Sequence, residues 1–113
     1  MTIEKLIVCR HKAAVEFIHR ELPEFRGAPI IDGDASPEDV RGKSVAGVLP
    51  MHLAALTREF HAVEFPGRPP RGREYGLKEM DEAGARISTY KVLTGSYNEV
   101  LTYLVNNGFT GVL

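Results

Sequence analysis

Residues Leu6 to Ile18 read LIVCRHKAAVEFI, and this stretch decides the fold. Leu6-Ile7-Val8-Cys9 is apolar at every position. An unbroken apolar run of this kind suits a central parallel strand covered by helices on both faces. Arg10-His11-Lys12 interrupts it abruptly. Beyond the break Ala14, Phe17, Ile18 and Leu22 recur at helical spacing, with Glu16, His19 and Arg20 between them. Pro23 stops the helix. The chain thus opens with a strand over Ile3 to Cys9 and an amphipathic helix behind it.

The same alternation continues outward. Ala28 to Ile31 reads as a second, shorter strand, bounded by Pro29 and Asp32-Gly33. Ser36-Pro37-Glu38-Asp39 carries an N-cap, a proline in the first helical position and two acids in the first turn. Val45 to Leu49 is a third apolar strand. Pro50 opens the next helix, whose buried face is expected at Leu53, Leu56 and Phe60, and His61 to Phe65 forms a fourth strand. Pro66 to Gly76 packs three prolines, three glycines and three arginines into one segment, a composition that forms no regular element. A helix from about Leu77 is expected to bury Met80, Ala83 and Ile87 or its neighbour. Ile87 to Leu93 is β-branched and aromatic enough for a fifth strand. Last, Ser96 and Glu99 form a capping box ahead of an apolar stripe at Tyr97, Val100, Leu101, Leu104 and Val105, with Gly108 at the stop.

The expected fold is therefore α/β: a three-layer, open, mostly parallel sheet of Rossmann-like type with an extra C-terminal helix. At 113 residues the chain has room for one such domain, 1–113, with the helical extension at about 96–113. Hydrophobic residues make up 43% and charged residues 26%, which excludes a disordered chain. No apolar run approaches the roughly 20 residues that span a bilayer. Met1-Thr2-Ile3-Glu4-Lys5 carries an acid and leads straight into a strand, unlike a signal peptide. The single Cys9 has no partner for an intrachain disulfide. These features together predict a cytoplasmic protein with no membrane attachment.

Net charge is −1, from 14 basic and 15 acidic side chains. That balance argues against a long polynucleotide partner, which demands a basic surplus. The basic residues cluster locally instead, at Arg68, Arg71 and Arg73, which points to a small anionic ligand. In open α/β sheets ligands bind beyond the carboxyl ends of the strands. That rule selects Arg10 and His11 after the first strand, and Pro50, Met51 and His52 after the third. Backbone N–H groups and the helix dipole favour an anion there, and arginine adds a bidentate donor. His52, in a first helical turn, could hold a phosphate or move a proton near neutral pH. Each position also has a plain reading: Arg10 capping a sheet edge, His11 and His52 as surface residues, the arginine run as a solvated face. No Cys, His or carboxylate spacing matches a metal site. The glycine-rich dinucleotide fingerprint and the phosphate-binding P-loop are both absent, so no cofactor is expected. A strand ending in Arg-His also opens the histidine phosphatases, but there a Gly follows where this chain has Lys12, and that fold needs a much longer chain.

Three longer segments carry a resemblance. IVCRHKAAVEFI (Ile7 to Ile18), SPEDVRGKSVAGVLPMHLAA (Ser36 to Ala55) and RGREYGLKEMDEAGARISTYKV (Arg71 to Val92) are similar, in this order, to a small family of CRISPR-associated accessory proteins of type III systems. Members are regarded as minimal CRISPR-associated Rossmann folds that act as ring nucleases, opening cyclic oligoadenylate second messengers, most often cyclic tetra-adenylate. The resemblance implies that Arg10, His11 and His52 are catalytic. It implies that Pro50, Met51, Arg71, Gly72, Arg73 and Glu74 bind the ligand. It further implies an enzyme that needs no metal, and a homodimer, because a cyclic tetranucleotide has two-fold symmetry. A module that only sequesters the ring, and a purely structural subunit, are the alternative readings. The capped helix from Ser96 onward departs from the family pattern, which ends soon after the equivalent of Val92.

Overall fold

A computed structural model describes residues 2–68 and 75–109. Its centre is β1 (Lys5–Val8), where Leu6, Ile7 and Val8 are all buried. Alternate side chains of that strand enter opposite layers, as the period of two requires. Ile7 joins one apolar cluster with Phe17 and Ile18 of α1 (Lys12–Glu21) and Met80 of α4 (Leu77–Glu82). Leu6 and Val8 join the other, with Val40 of α2 (Pro37–Val40) and Leu53 and Ala54 of α3 (Met51–Ala54). Helices thus cover both faces of one sheet. Each fully buried side chain of this size contributes about 1.5–3 kcal/mol.

The sheet has five strands in the order β2-β1-β3-β4-β5, with β2 at Ile30–Ile31, β3 at Ser44–Gly47, β4 at Glu59–Glu64 and β5 at Arg86–Tyr90. The first four are mutually parallel, Leu6 facing Val45 and Val45 facing Phe60 across the ladders. β5 is antiparallel to β4, with Val63 opposite Ile87. The fold is the expected α/β, Rossmann-like one. From β1 the chain steps outward to β2 and then returns past β1 to β3, so the order reverses between β1 and β3. That reversal opens a crevice at the carboxyl edge.

Three local readings need correction. Phe60 is on β4 and not on the helix opened by Pro50, because α3 lasts one turn and Thr57 closes it by donating to the Ala54 carbonyl at 2.7 Å. Ile87 lies in β5 and leaves α4 to end at Glu82. β1, β2, β3 and β5 are each shorter than the expected strands, and residues 91 to 93 lie beyond the last strand.

The capping boxes at Ser36–Asp39 and Ser96–Glu99 both form. The second opens α5 (Tyr97–Asn106), a helix with no buried residue. Its stripe is only half covered, and Tyr97 is 74% exposed.

Candidate functional site

Two loops leave the carboxyl edge on either side of the reversal. One runs from β1 through Cys9, Arg10 and His11 into α1. The other runs from β3 through Val48, Leu49 and Pro50 into α3. Between them lies a cavity of about 590 Å³. Its walls are mostly apolar, with Val8, Leu49, Leu53, Val63 and Phe65 among them. Arg10, His11, His52 and Asp34 supply the polar groups. The loop between β2 and α2 brings Asp34, and Tyr75 reaches in from just ahead of α4.

The N-termini of α1 and α3 both lack the side-chain cap and first-turn acid that α2 and α5 carry. α2 and α5 neutralise theirs with a serine and an acid in the first turn. At α1 the N-cap is His11, whose side chain makes no capping bond, and the first turn holds no acid. The positive end of this helix dipole is therefore left for an anion.

Gly47 lets the two loops leave so close together. It ends β3 opposite Val8 with φ of +131°. A Cβ there would lie 1.9 Å from the Val8 carbonyl oxygen. That oxygen instead accepts from the Val48 N–H at 2.9 Å, which ties the two strand ends.

Arg10 does not project freely. Its guanidinium donates to Asp34 at 2.8 Å, and both side chains are well exposed. An exposed pair of this kind is weakly held, so the arginine can exchange its carboxylate for a ligand phosphate. His11 stacks on Tyr75 with ring centroids 4.8 Å apart, and its Nδ1 is buried without a hydrogen-bond partner. Leaving such an atom unpaired costs about 1–3 kcal/mol. His52 lines the rim from α3 and is exposed. Burial pushes the Cys9 thiol above its ordinary range, which keeps it protonated and a poor nucleophile.

The structure thus gathers Arg10, His11, Pro50 and His52 on one cavity. Met51 is not among its walls; it is 72% exposed, and Leu53 and Ala54 are the residues of α3 that enter the core. Arg71, Gly72, Arg73 and Glu74 lie outside the described residues. Two wall residues escaped sequence reasoning. Asp34 was findable by the same carboxyl-edge rule, since it follows the second strand. Tyr75 carries no local signal, because only the tertiary fold brings it to His11.

A second polar cluster sits toward the opposite, amino edge of the sheet. His61 on β4 is 8% exposed. Its Nε2 lies 2.8 Å from a Glu59 carboxylate oxygen, and its Nδ1 shares a hydrogen bond of 2.8 Å with the Thr89 hydroxyl. Ser44 donates to the same Glu59 oxygen at 3.0 Å. The Ser44 bond, then the His61 contact, hold the Glu59 carboxyl below its ordinary range. Every polar group here has a partner inside the protein, which marks structure and not a ligand site.

Among the described residues no group of three or more His, Cys, Asp or Glu side chains is placed to hold a metal ion. Among them, too, no helix is long and apolar enough to cross a membrane. Residues 6–93 match the family model described as "Putative CRISPR-associated protein (Cas_VVA1548)". The chain belongs to this CRISPR-associated family. The match spans β1 to β5 and both loops that carry the cavity, and it stops before α5. No curated protein and no solved structure matches the chain.

Proposed function

We propose that this CRISPR-associated protein is a ring nuclease that binds and opens a cyclic oligoadenylate, with cyclic tetra-adenylate as the preferred ring. The observation that carries the reading is the cavity at the strand reversal, which joins an apolar lining to Arg10, His11, His52 and an uncapped helix N-terminus. Flat bases suit the apolar walls, and a phosphate suits the cationic rim.

The reaction asks little of the protein beyond placement. A ribose 2′-oxygen gives up its proton and attacks the adjacent phosphorus. The bond from phosphorus to the 5′-oxygen breaks, and that oxygen takes up a proton. The product is a linear oligoadenylate ending in a 2′,3′-cyclic phosphate. Because nucleophile and phosphodiester share one nucleotide, alignment and charge neutralisation supply the rate. Arg10 neutralises the phosphorane-like transition state, and His11 and His52 serve the protons. Arg71 and Arg73, in the segment that leads to Tyr75, bind phosphates in ground and transition states alike.

A homodimer belongs to this reading. A cavity of about 590 Å³ is the size that holds one drug-sized ligand, and a four-nucleotide ring is larger. Two copies about a two-fold axis would match the ring's own symmetry.

The test is direct. Cyclic tri-, tetra- and hexa-adenylate are titrated while binding and cleavage are followed, with and without EDTA. Arg10→Ala and His52→Ala are expected to slow single-turnover cleavage by about 100-fold or more with binding largely kept. Cleavage should survive EDTA, and light scattering should show a dimer. Tight binding without cleavage would leave a sequestering module in place of an enzyme. No binding of any ring would overturn the reading altogether.

A further inference from the structure

Tyr75 has no part in the chemistry above, yet it makes the closest ring contact in the cavity wall. The geometry gives it a task. His11 caps α1 through its backbone alone: its carbonyl accepts from the N–H groups of Ala14 and Val15 at 3.0 and 3.2 Å, and from the Cys9 thiol at 3.4 Å. The imidazole is free of the helix. Its Nδ1 is shut off from water and has no hydrogen-bond partner. The ring beside it is Tyr75, tilted by 33° and packed in turn on the core under α1 and α4.

A neutral imidazole carries one proton, on one nitrogen or the other. On Nδ1 that proton would be a buried N–H with no acceptor, the rarer and costlier kind of orphan. On Nε2 it leaves Nδ1 as an unmet acceptor, which proteins tolerate better. We propose that Tyr75 is a positioning residue that fixes the tautomer of His11, covering Nδ1 so that the proton stays on Nε2. His11 then meets a ligand as a hydrogen-bond donor, suited to a phosphate oxygen or a departing 5′-oxygen, and not as the base that takes the 2′ proton. The ligand half of this inference rests on the cyclic-oligoadenylate reading; the tautomer half does not.

The experiment separates the two. Long-range ¹H–¹⁵N spectra of the imidazoles are recorded at pH 8, where free histidine is neutral, for the parent protein, Tyr75→Phe and Tyr75→Leu. The parent and Tyr75→Phe are expected to show His11 as the single Nε2–H tautomer. Tyr75→Leu keeps apolar bulk without the ring face and is expected to show a mixture. With cyclic tetra-adenylate, Tyr75→Leu should lose about tenfold or more in single-turnover rate, and Tyr75→Phe should recover most of that loss. An Nδ1–H tautomer in the parent protein overturns the proposal. So does an unchanged tautomer in Tyr75→Leu, which would make Tyr75 a packing residue only. If the parent protein neither binds nor cleaves the ring, the ligand reading fails, and the spectra still decide what Tyr75 does.

Discussion

His11, past the carboxyl end of β1, and His61, within β4 beside its amino end, are treated in opposite ways. Around His61, Glu59, Thr89 and Ser44 answer both ring nitrogens within the protein. At His11 the buried Nδ1 goes unanswered, and the helix behind it has no capping side chain. A protein gains stability from the first arrangement and loses some at the second. Under the proposed function the difference has a reason, since an unmet polar atom is tolerated where a ligand or a reaction needs it.

The comparison is broken most severely at Gly47. Gly47→Ala forces a Cβ onto the Val8 carbonyl in a backbone region that L side chains rarely adopt. It should cost about 2–5 kcal/mol, read as a lowered urea midpoint, and should disturb the Arg10 and Pro50 loops together. A parental midpoint would show that the two strand ends are not tied as described.

A pair of alanine variants sharpens the contrast. His61→Ala takes a hydrogen bond from Thr89 and from Glu59 and opens space beside Phe25, and should cost about 2–4 kcal/mol. His11→Ala removes a contact with Tyr75 but also an unmet buried nitrogen, so it should change stability by less than about 1 kcal/mol. Equal losses in chemical denaturation would erase the distinction between the two histidines.

The smallest effect is on acid stability. The Glu59 carboxyl is held below its ordinary value of 4.5, first by Ser44. A depressed folded value means the stabilisation is complete above the unfolded value and drains away as pH falls through the folded one. Stability should therefore decline below about pH 4.5, and Glu59→Gln should flatten that decline. The side chain is 44% exposed, so solvent screening keeps the change modest.

How far the sequence foretold all this depends on the range of the interaction. Leu6 to Cys9 announced a central strand because burial on both faces leaves no polar position. The N-cap at Ser36 and the box at Ser96 were legible because a cap is settled within four residues. The placing of Arg10, His11, Pro50 and His52 around one cavity followed from a rule about strand ends. Phe60 was misread because Leu53, Leu56 and Phe60 happen to keep helical spacing while the chain turns at Thr57. Nothing local announces that β5 runs antiparallel, or that Thr89 will face His61; both depend on register between distant strands. Tyr75 was hidden for the same reason, since it finds His11 only when α1 and α4 pack side by side.

The bare helix α5 has a consequence for motion. A ten-residue helix is marginal on its own in water, and this one draws almost nothing from the core. It forms the least protected helix among the described residues. Its amides can open and exchange with solvent while β1, β3 and β4 stay closed. The protein therefore has two clocks, a slow one for the family body over 6–93 and a fast one for the segment beyond it.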